Sequence, residues 1–269
     1  MSRNWKLSII TINYNNKEGL QKTVKSVISQ TTKEFEWVII DGGSTDGSKE
    51  LLEEYSNYID YFVSEPDKGI YNAMNKGIYA SHGEYLQFLN SGDSLHDNNT
   101  IEKILPLLKG KDIYVGRINS IGRKNASIKE QSDFSPTGIL NKLTFTWLPH
   151  QASFIKRSVF DTYGMYREDQ KIVSDWWFYY RSLVIGNATI ESIPFVIADY
   201  DTTGISATHR QKALTEQDNL LKEYPAISEY YHFYKENREI INAIKNNRIV
   251  FGLFRVYFYF YRKFRAYDS

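Results

Sequence analysis

Carboxylate or amide side chains follow each of the first four apolar runs of the chain, namely Asn13, Asp41, Asp67 and Asp93. Taken singly, such a residue is more typical of a helix cap or a turn than of a ligand site. The runs before them are short and largely apolar, which predicts buried strands. Because ligands bind in the crevice outside the carboxyl ends of parallel strands, we expect these side chains to line one crevice.

The residue types in this crevice indicate how it would bind a ligand that carries a diphosphate. Residues 13–19 lack the G-x-G-x-x-G turn of dinucleotide-binding folds, and the chain has no P-loop. Without a backbone cradle for phosphates, a site of carboxylates and amides needs a bridging cation. Mg²⁺ and Mn²⁺ take hard oxygen ligands and bind through one or two carboxylates together with substrate phosphates. The sequence therefore predicts a Mg²⁺ or Mn²⁺ cofactor in this crevice.

Strand and helix patterns alternate through the first half of the chain. The predicted strands are 6–13, 35–41, 59–64 and 85–89, and the predicted helices are 17–29, 48–55 and 70–80. Short connections between them favour right-handed crossovers and a parallel sheet. The predicted fold class is α/β, with a Rossmann-type, mostly parallel sheet flanked by helices and a helical C-terminal extension. A further strand is predicted at 112–118, and a loop or hairpin at 119–135.

Composition narrows the class of protein. The 269 residues include 33 Lys and Arg against 32 Asp and Glu, so the overall charge does not indicate nucleic-acid binding. The absence of cysteine excludes a disulfide framework and thiolate chemistry, and it is consistent with a reducing cytosol. The N-terminus predicts no signal peptide, and no run of about 20 apolar residues predicts a spanning helix. We expect a cytoplasmic protein, either soluble or peripheral at the inner face of the cell membrane.

Four blocks in the N-terminal half carry a family resemblance. They are Ile-Ile-Thr-Ile-Asn-Tyr-Asn at 9–15, Asp-Gly-Gly-Ser-Thr-Asp-Gly at 41–47, the segment 65–77 with Glu-Pro-Asp-Lys-Gly, and Leu-Asn-Ser-Gly-Asp at 89–93. Together they resemble, in the same order, the family 2 glycosyltransferases, nucleotide-sugar enzymes of the GT-A fold. The resemblance implies a GT-A-like domain. Its implied nucleotide-sugar-binding residues are Thr11, Asn13, Asp41, Gly43, Asp67, Lys68, Asn75, Asn90 and Ser91.

The fourth block departs from the family pattern in a way that bears on the metal. The resemblance places Asp93 at the metal-binding D-x-D motif, but the three residues before it are Asn-Ser-Gly and supply no further acid. It also implies that a late histidine completes the coordination, which makes His209 a candidate ligand. We expect Asp93 and His209 to be the metal ligands, with weak metal affinity in the absence of nucleotide. The segment 199–210 that carries His209 is equally consistent with a solvated loop.

The C-terminal half holds the predicted acceptor side. Asp175 lies at the start of a predicted helix; spacing alone favours a helix cap, whereas the resemblance implies the catalytic base. In an inverting transfer, that carboxylate takes the proton of the acceptor hydroxyl while the nucleoside diphosphate leaves in line. His150 either donates to acceptor or phosphate oxygens or is satisfied within the fold. The candidates for the acceptor or phosphate side are Trp147, His150, Gln151, Trp176 and Arg210.

The C-terminal tail combines basic and aromatic residues. Arg248, Arg255 and Arg262 recur every seven residues, so on a helix they share one side, with aromatic residues over much of the remainder. This pattern predicts an interfacial helix that contacts anionic lipid headgroups. The alternatives are a terminal helix packed on the catalytic domain and a homodimer interface.

These features predict a GT-A-like glycosyltransferase domain over residues 1–210 and a helical region over 211–269. The domain has a nucleotide-binding half at 1–118 and an acceptor half at 119–210. The resemblance implies transfer of a hexosyl or N-acetylhexosaminyl group from a nucleotide sugar, with a UDP-sugar favoured. The implied acceptor is a saccharide or lipid-linked saccharide in surface polysaccharide or glycolipid biosynthesis.

Two other functional classes are alternatives to a glycosyltransferase. A nucleotidyltransferase on a related α/β fold would need a first loop rich in Gly and in Lys or Arg, and residues 13–19 offer only Lys17. A non-catalytic nucleotide-sugar-binding partner in a glycan assembly complex would fit the single-acid block, but an intact Asp175 argues against it.

Overall fold

The computed structural model describes residues 4–121, 127–128, 134–202, 209–237 and 239–240. The chain divides into two compact units, the first ending at Gln217 and the second beginning at Asp218. All the predicted site residues lie in the first unit. The predicted tail helix lies outside the described residues. Among the residues that are described, no helix is both long enough and apolar enough to cross a membrane.

The strands of the first unit form one sheet. They are β1 Leu7–Asn13, β2 Glu36–Asp41, β3 Tyr61–Ser64, β4 Tyr85–Phe88, β5 Ser94–Leu95, β6 Ile113–Ile121, β7 Ser127–Ile128, β8 Ser153–Lys156 and β9 Ile190–Asp201. Their order across the sheet is β3-β2-β1-β4-β8-β6-β9-β5, with β7 paired to β6.

The helices alternate with these strands. They are α1 Lys17–Ile28, α2 Ser48–Glu54, α3 Ile70–Ala80, α4 Thr100–Ile104, α5 Pro136–Phe145, α6 Arg157–Tyr163, α7 Ser174–Tyr179, α8 Arg210–Lys222 and α9 Pro225–Glu236. The helix α7 continues into a π-helical turn, Tyr180–Ile185. Short 3₁₀ turns occupy Ser56–Tyr58, Leu105–Leu107 and His150–Ala152.

The first four strands of the sheet order are parallel, as the alternation of elements predicts. Every residue of β1 is buried, which explains its continuous apolar and β-branched sequence. In the strand register, Asn13 pairs with Asp41, and Asp41 pairs with Ser64. The polar ends of β1, β2 and β3 therefore lie side by side. Helix α3 packs closely on the middle of β1, where a Cβ at Gly77 would clash with Ile10 Cγ2.

Beyond β4 the sheet is mixed. Strand β8 is antiparallel to both β4 and β6, whereas β9 is parallel to β6. Because β8 opposes both of its neighbours, β6 and β9 run in the same direction as β4. The carboxyl ends of β6 and β9 consequently lie at the same edge of the sheet as those of β1, β2 and β4. Residues at the end of β9 thus join the crevice that the sequence predicts from the first four strands alone.

Some element boundaries differ from the predicted ones. Strand β3 begins at Tyr61 instead of residue 59, because the 3₁₀ turn before it is extended by a hydrogen bond from Ile59 N to Ser56 O at 3.2 Å. Helix α8 begins at Arg210, one residue before the predicted helical region 211–269. Pro225 opens α9, where its missing N–H costs no helical hydrogen bond. Within the predicted loop or hairpin at 119–135, the described part of β7 pairs antiparallel with β6, as a hairpin would.

Candidate active site

Asp41, at the end of β2, is fully buried and accepts hydrogen bonds from residues at the ends of the neighbouring strands. Asn13 Nδ2 donates to its Oδ1 at 2.7 Å, and Ser64 Oγ donates to its Oδ2 at 2.6 Å. Ser44 contributes both its N–H, 2.9 Å from Oδ2, and its hydroxyl. Burial alone would raise the pKa of Asp41, but these hydrogen bonds outweigh burial and hold the pKa below its ordinary value. Asp41 is therefore a buried anion that connects β1, β2 and β3.

Tyr14 and Asp67 both lie against Gly42. A Cβ at Gly42 would lie 2.5 Å from Asp67 Oδ2 and 3.1 Å from Tyr14 Cδ2, so glycine leaves room for both side chains. Tyr14 is 66% exposed, at the carboxyl edge of the sheet. Asp67 Oδ1 accepts the N–H of Gly69 at 2.7 Å. Sequence reasoning missed Tyr14, although an aromatic residue directly after the polar strand end Asn13 could have indicated it.

Asp93 lies in the turn after β4 and is 5% exposed. Its Oδ1 accepts the backbone N–H of Asp201, from the end of β9, at 3.0 Å. Burial raises the pKa of Asp93 to about 6, although the hydrogen bond from Asp201 and the nearby His150 act in the opposite direction. A cation beside this carboxylate would stabilise its ionised form, because the positive charge offsets the cost of burying a negative one.

Thr23 of α1 holds the turn that carries Asp93. Its hydroxyl donates to the main-chain oxygen of Asp93 at 2.6 Å and accepts the N–H of Gly92 at 3.1 Å. Lys22 Nζ donates to the main-chain oxygen of Gly92 at 2.9 Å. Gly92 has φ +104°, a conformation that L side chains rarely adopt. Sequence reasoning missed Thr23, because a threonine inside a helix carries no signal of a contact with a distant turn.

The donor set at this turn suits a divalent cation that brings ligand oxygens with it. Among the described residues, no group of three or more His, Asp or Glu side chains could hold an ion. Asp201 nevertheless places a second carboxylate beside the turn, with its Oδ2 3.6 Å from the position that a Cβ at Gly92 would occupy. Two carboxylates match the protein ligands that Mg²⁺ or Mn²⁺ uses together with substrate phosphates and water.

A hydrogen-bonded chain connects the turn after β4 with Asp175. Asn90 Nδ2 lies 3.2 Å from His150 Nε2, and His150 Nδ1 lies 3.2 Å from Asp175 Oδ2. On its other side, Asp175 Oδ1 lies 2.9 Å from Tyr71 Oη. The side chains of His150 and Asp175 are 18% and 17% exposed, respectively. The carboxylate of Asp175 is therefore held from two sides and still reachable by a ligand.

Neither Asp175 nor Ser174 caps α7, so the helix-cap alternative is wrong. Val173 holds the N-cap position and makes no side-chain capping hydrogen bond, whereas the hydroxyl of Ser174 accepts the N–H of Arg167. His150 is satisfied within the fold by Asn90 and Asp175. Burial alone would lower the pKa of His150, but the hydrogen bond and charge of Asp175 outweigh burial and raise it.

Three predicted site residues are buried away from the crevice surface. Thr11 is fully buried and accepts Trp37 Nε1 at 3.1 Å. Asn75 is 4% exposed, and its amide bonds the main-chain N and O of Tyr166. Trp176 is 2% exposed and donates from Nε1 to a main-chain oxygen of α5 at 2.6 Å. Because their polar atoms are already bonded inside the fold, these side chains support the walls of the crevice and offer little surface to a ligand.

The remaining predicted residues differ in their burial and contacts. Gln151 is 5% exposed and its side chain hydrogen-bonds Asp93. Ser91 Oγ lies 3.3 Å from Asn16 Nδ2. Gly43 adopts φ +79°, and a Cβ there would lie 3.1 Å from the main-chain N of Pro66. The exposed predicted residues are Lys68, Trp147, His209 and Arg210.

Comparison with known sequences gives one consistent family. The sequence model of Glycosyl transferase family 2 matches residues 8–172, which is more than half of the chain. An uncharacterized glycosyltransferase of Mycobacterium tuberculosis is 32% identical over 232 residues, covering 81% of this chain and 85% of the relative. The range 8–172 that the family model matches includes the strands β1–β8 and the predicted donor blocks.

Comparison with solved structures gives the same architecture. TarS of S. aureus in complex with UDP-GlcNAc superposes with a TM-score of 0.63 at 19% identity, over 76% of this chain and 61% of that one. The mannosyltransferase PcManGT of Pyrobaculum calidifontis, in complex with GDP-Man and Mn²⁺, gives a TM-score of 0.53 at 16% identity, over 74% of this chain and 57% of that one. At these identities the likeness shows the fold alone, and it confirms the predicted GT-A-like α/β class.

Proposed function

The chain belongs to glycosyl transferase family 2, and from this we propose that it transfers a hexosyl or N-acetylhexosaminyl group from a nucleotide sugar to an acceptor hydroxyl, with inversion. The observation that carries the proposal is the hydrogen-bonded chain from Asn90 through His150 to Asp175. It connects a predicted donor contact with a reachable carboxylate, and direct displacement needs these two groups at a fixed separation.

Asp175 acts as the general base in this reaction. The proton of the acceptor hydroxyl moves to Asp175 as the acceptor oxygen bonds to the anomeric carbon. The bond from that carbon to the phosphate oxygen breaks, and its electron pair leaves with the nucleoside diphosphate. His150 and Tyr71 hold the two carboxylate oxygens, so the base is in place before the acceptor binds. A single displacement of this kind inverts the configuration of the sugar.

The donor nucleoside binds at the ends of β1, β2 and β3. The exposed ring of Tyr14 offers a stacking face for a base, and Asp67 lies beside it. Asp41 and Asn13 act by ordering the strand ends beneath the nucleoside. A UDP-sugar is the proposed donor, and its support is the likeness to TarS in complex with UDP-GlcNAc. The complex of PcManGT with GDP-Man indicates that the architecture also accommodates a guanine nucleotide.

Mg²⁺ or Mn²⁺ is the proposed cofactor. Asp93 would hold the ion, with Asp201 beside Gly92 and with His209 as the late ligand that the resemblance implies. When bound, the ion offsets the negative charge that grows on the leaving diphosphate. The support comes from the hard oxygen donors at the turn and from the buried state of Asp93.

The acceptor is a saccharide or a lipid-linked saccharide, in assembly of a surface polysaccharide or glycolipid. The exposed indole of Trp147 is the proposed contact on that side, and His150 acts there indirectly, by holding Asp175. We propose a cytoplasmic location from the absence of cysteine, and contact with the inner face of the membrane from the tail pattern, whose alternatives include a homodimer interface. Both stay predictions, since the tail lies outside the described residues.

Donor class is tested by thermal unfolding with nucleotide sugars. Ligands that bind the native state raise its Tm by mass action. UDP-sugars with Mn²⁺ are expected to raise Tm more than GDP-sugars or either class without metal. A nucleotidyltransferase would instead respond most strongly to a nucleoside triphosphate with Mg²⁺ and would release pyrophosphate.

Catalytic function is tested by Asp175→Asn. General-base catalysis contributes about 10²–10⁴-fold, so we expect kcat to fall by at least about 100-fold while the donor-induced rise in Tm is unchanged. Asp161→Asn, at an exposed aspartate, is the matched control and should keep wild-type turnover. Unchanged turnover in Asp175→Asn would show that Asp175 is not the general base. Donor binding without turnover in the wild type would favour the non-catalytic partner.

A further inference from the structure

Two short oxygen–oxygen contacts meet at the hydroxyl of Tyr71. Its Oη lies 2.7 Å from the main-chain oxygen of Ile172 and 2.9 Å from Asp175 Oδ1. A phenol carries one hydrogen, and a carbonyl oxygen carries none. Both contacts are full hydrogen bonds at the same time only when Asp175 Oδ1 supplies the second hydrogen. The arrangement therefore accommodates a protonated Asp175 as well as an ionised one.

The hydrogen bonds differ between the two protonation states, but the heavy atoms do not need to move. When Asp175 is ionised, the Tyr71 hydroxyl donates to Oδ1, and this charge-assisted bond is the stronger of its two options. When Oδ1 is protonated, it donates to Tyr71 Oη, and the Tyr71 hydroxyl turns to the oxygen of Ile172. In both states Asp175 Oδ2 faces His150 Nδ1 at 3.2 Å.

Tyr71 and the carbonyl group of Ile172 are both held in place by the fold. Tyr71 is 5% exposed in the first turn of α3. The N–H of Ile172 donates to Glu216 Oε2 at 2.8 Å, which anchors the segment that carries the receiving carbonyl. Burial, followed by the charge of Asp175, raises the pKa of Tyr71 well above its ordinary value, so Tyr71 stays a phenol. Tyr71 can therefore redirect a hydrogen bond but cannot itself serve as the base.

Building on the proposed function, we propose that Tyr71 is a positioning residue whose hydroxyl turns from Asp175 to Ile172 as Asp175 takes the proton of the acceptor. The acceptor O–H bond breaks, an O–H bond forms at Asp175 Oδ1, and Tyr71 keeps its own hydrogen throughout. The base thus has a hydrogen-bond partner before and after the transfer. Such an arrangement needs little reorganisation at the moment of reaction.

A spectroscopic test needs no substrate. The protein is labelled with ¹³C at Cζ of its 21 tyrosines, and the Tyr71 signal is the one that Tyr71→Phe removes. We expect this signal to move in Asp175→Asn, because the amide N–H of asparagine can donate to Tyr71 Oη as a protonated Asp175 would. His150→Gln leaves the contact between Tyr71 and Asp175 in place and should leave the signal near its wild-type position. A signal that stays in place in Asp175→Asn, or that moves as far in His150→Gln, would overturn the proposal.

Tyr166 provides the matched control, because its ring centroid is 5.8 Å from that of Tyr71. It is 3% exposed, and its hydroxyl has no hydrogen-bond partner among the described residues. The other titratable side chains that sense Asp175 are His150, Tyr166 and Tyr179. The Tyr166 signal, assigned from Tyr166→Phe, should show at most a small part of the Tyr71 shift. Equal shifts would indicate a general effect of charge and would contradict the proposal.

Kinetics separate this proposal from the proposed function. The readout is UDP release from the UDP-sugar that raises Tm most. In Tyr71→Phe, kcat should fall about 10- to 100-fold, part of the effect of a general base, with the donor KM within about twofold. Tyr166→Phe should leave both constants unchanged. If Asp175→Asn keeps full turnover, the proposed base fails whatever Tyr71 does; if only Asp175→Asn loses turnover, the role of Tyr71 alone is overturned.

Discussion

Two aspartates of the crevice have pKa values that are displaced in opposite directions, although both are buried. Asp41 accepts hydrogen bonds from Asn13, Ser44 and Ser64, and these lower its pKa. Asp93 accepts fewer hydrogen bonds, one from the backbone N–H of Asp201 and one from the side chain of Gln151, and burial raises its pKa to about 6. The number of donors, and not the depth of burial, decides the direction. Asp41 is therefore suited to holding strand ends together, and Asp93 to responding to a cation.

The first prediction concerns Asp41→Asn. Hydrogen bonds to charged groups contribute about 1.5–3 kcal/mol each, and an amide cannot accept all of these donors, so we expect the free energy of unfolding at pH 7 to fall by about 3 kcal/mol. The folded-state pKa of Asp41 lies below the unfolded value of about 3.9. Its stabilisation is therefore complete above the unfolded pKa and is lost as pH falls through the folded pKa. Urea unfolding between pH 3 and 7 measures both effects.

The control for Asp41→Asn is Asp161→Asn at an exposed position, which should change stability by no more than about 0.5 kcal/mol. Losing the acidic dependence in Asp41→Asn while Asp161→Asn retains it would support the assignment. Similar unfolding curves for both variants would show that the hydrogen bonds of Asp41 carry little net stability.

At the scale of elements, the sequence predicts local patterns well and contacts between distant elements poorly. The predicted helix 70–80 matches α3, because its apolar spacing and its flanking Gly69 and Ser81 are local features. The contact between Tyr71 and Asp175 joins positions 104 residues apart, and that between Asp93 and Asp201 joins positions 108 apart. Neither follows from periodicity, since the first depends on how α7 packs against α3 and the second on the register of β9. Family blocks indicated Asp175 and Asp93, but not their partners Tyr71 and Asp201.

The contact between α1 and the turn after β4 is tested by Thr23→Val. Valine keeps the shape of the side chain but removes the donor to Asp93 O and the acceptor of Gly92 N–H. Leaving buried polar groups unsatisfied costs about 1–3 kcal/mol, so we expect a loss of that size in urea unfolding. The rise in Tm with UDP-sugar and Mn²⁺ should also decrease, because the turn carries Asp93.

Thr162→Val is the control for Thr23→Val, since Thr162 is an exposed helical threonine whose hydroxyl bonds Ser158 O within its own helix. It should cost less than about 0.5 kcal/mol and leave the nucleotide response unchanged. If the two variants lost equal free energy of unfolding, the contact of Thr23 with the turn would contribute no more stability than an exposed threonine hydroxyl does.

At the scale of the whole molecule, charge is unevenly distributed along the chain. The net charge is +1, yet residues 241–269 contain six Lys or Arg and a single Asp. The first unit contains every predicted site residue, so the basic tail is separate in sequence from the residues proposed for catalysis. A lipid-linked acceptor would be confined to a membrane surface, and a basic aromatic segment is the part of this sequence suited to reaching it.

The last prediction concerns this tail. A basic residue near an anionic membrane contributes about 1 kcal/mol, so Arg255→Gln with Arg262→Gln should weaken partitioning onto phosphatidylglycerol-containing vesicles by roughly 30-fold. Co-sedimentation of the full-length protein with vesicles at low salt measures this partitioning, and raising the salt should abolish binding through screening.

The control is the double variant Lys25→Gln with Lys49→Gln, which removes two exposed charges far from the tail in sequence. This variant should bind vesicles as the wild type does. Equal binding by the two double variants would exclude the tail as the contact. Dissociation of a homodimer by the tail variant, without any change in vesicle binding, would instead assign these residues to a subunit interface.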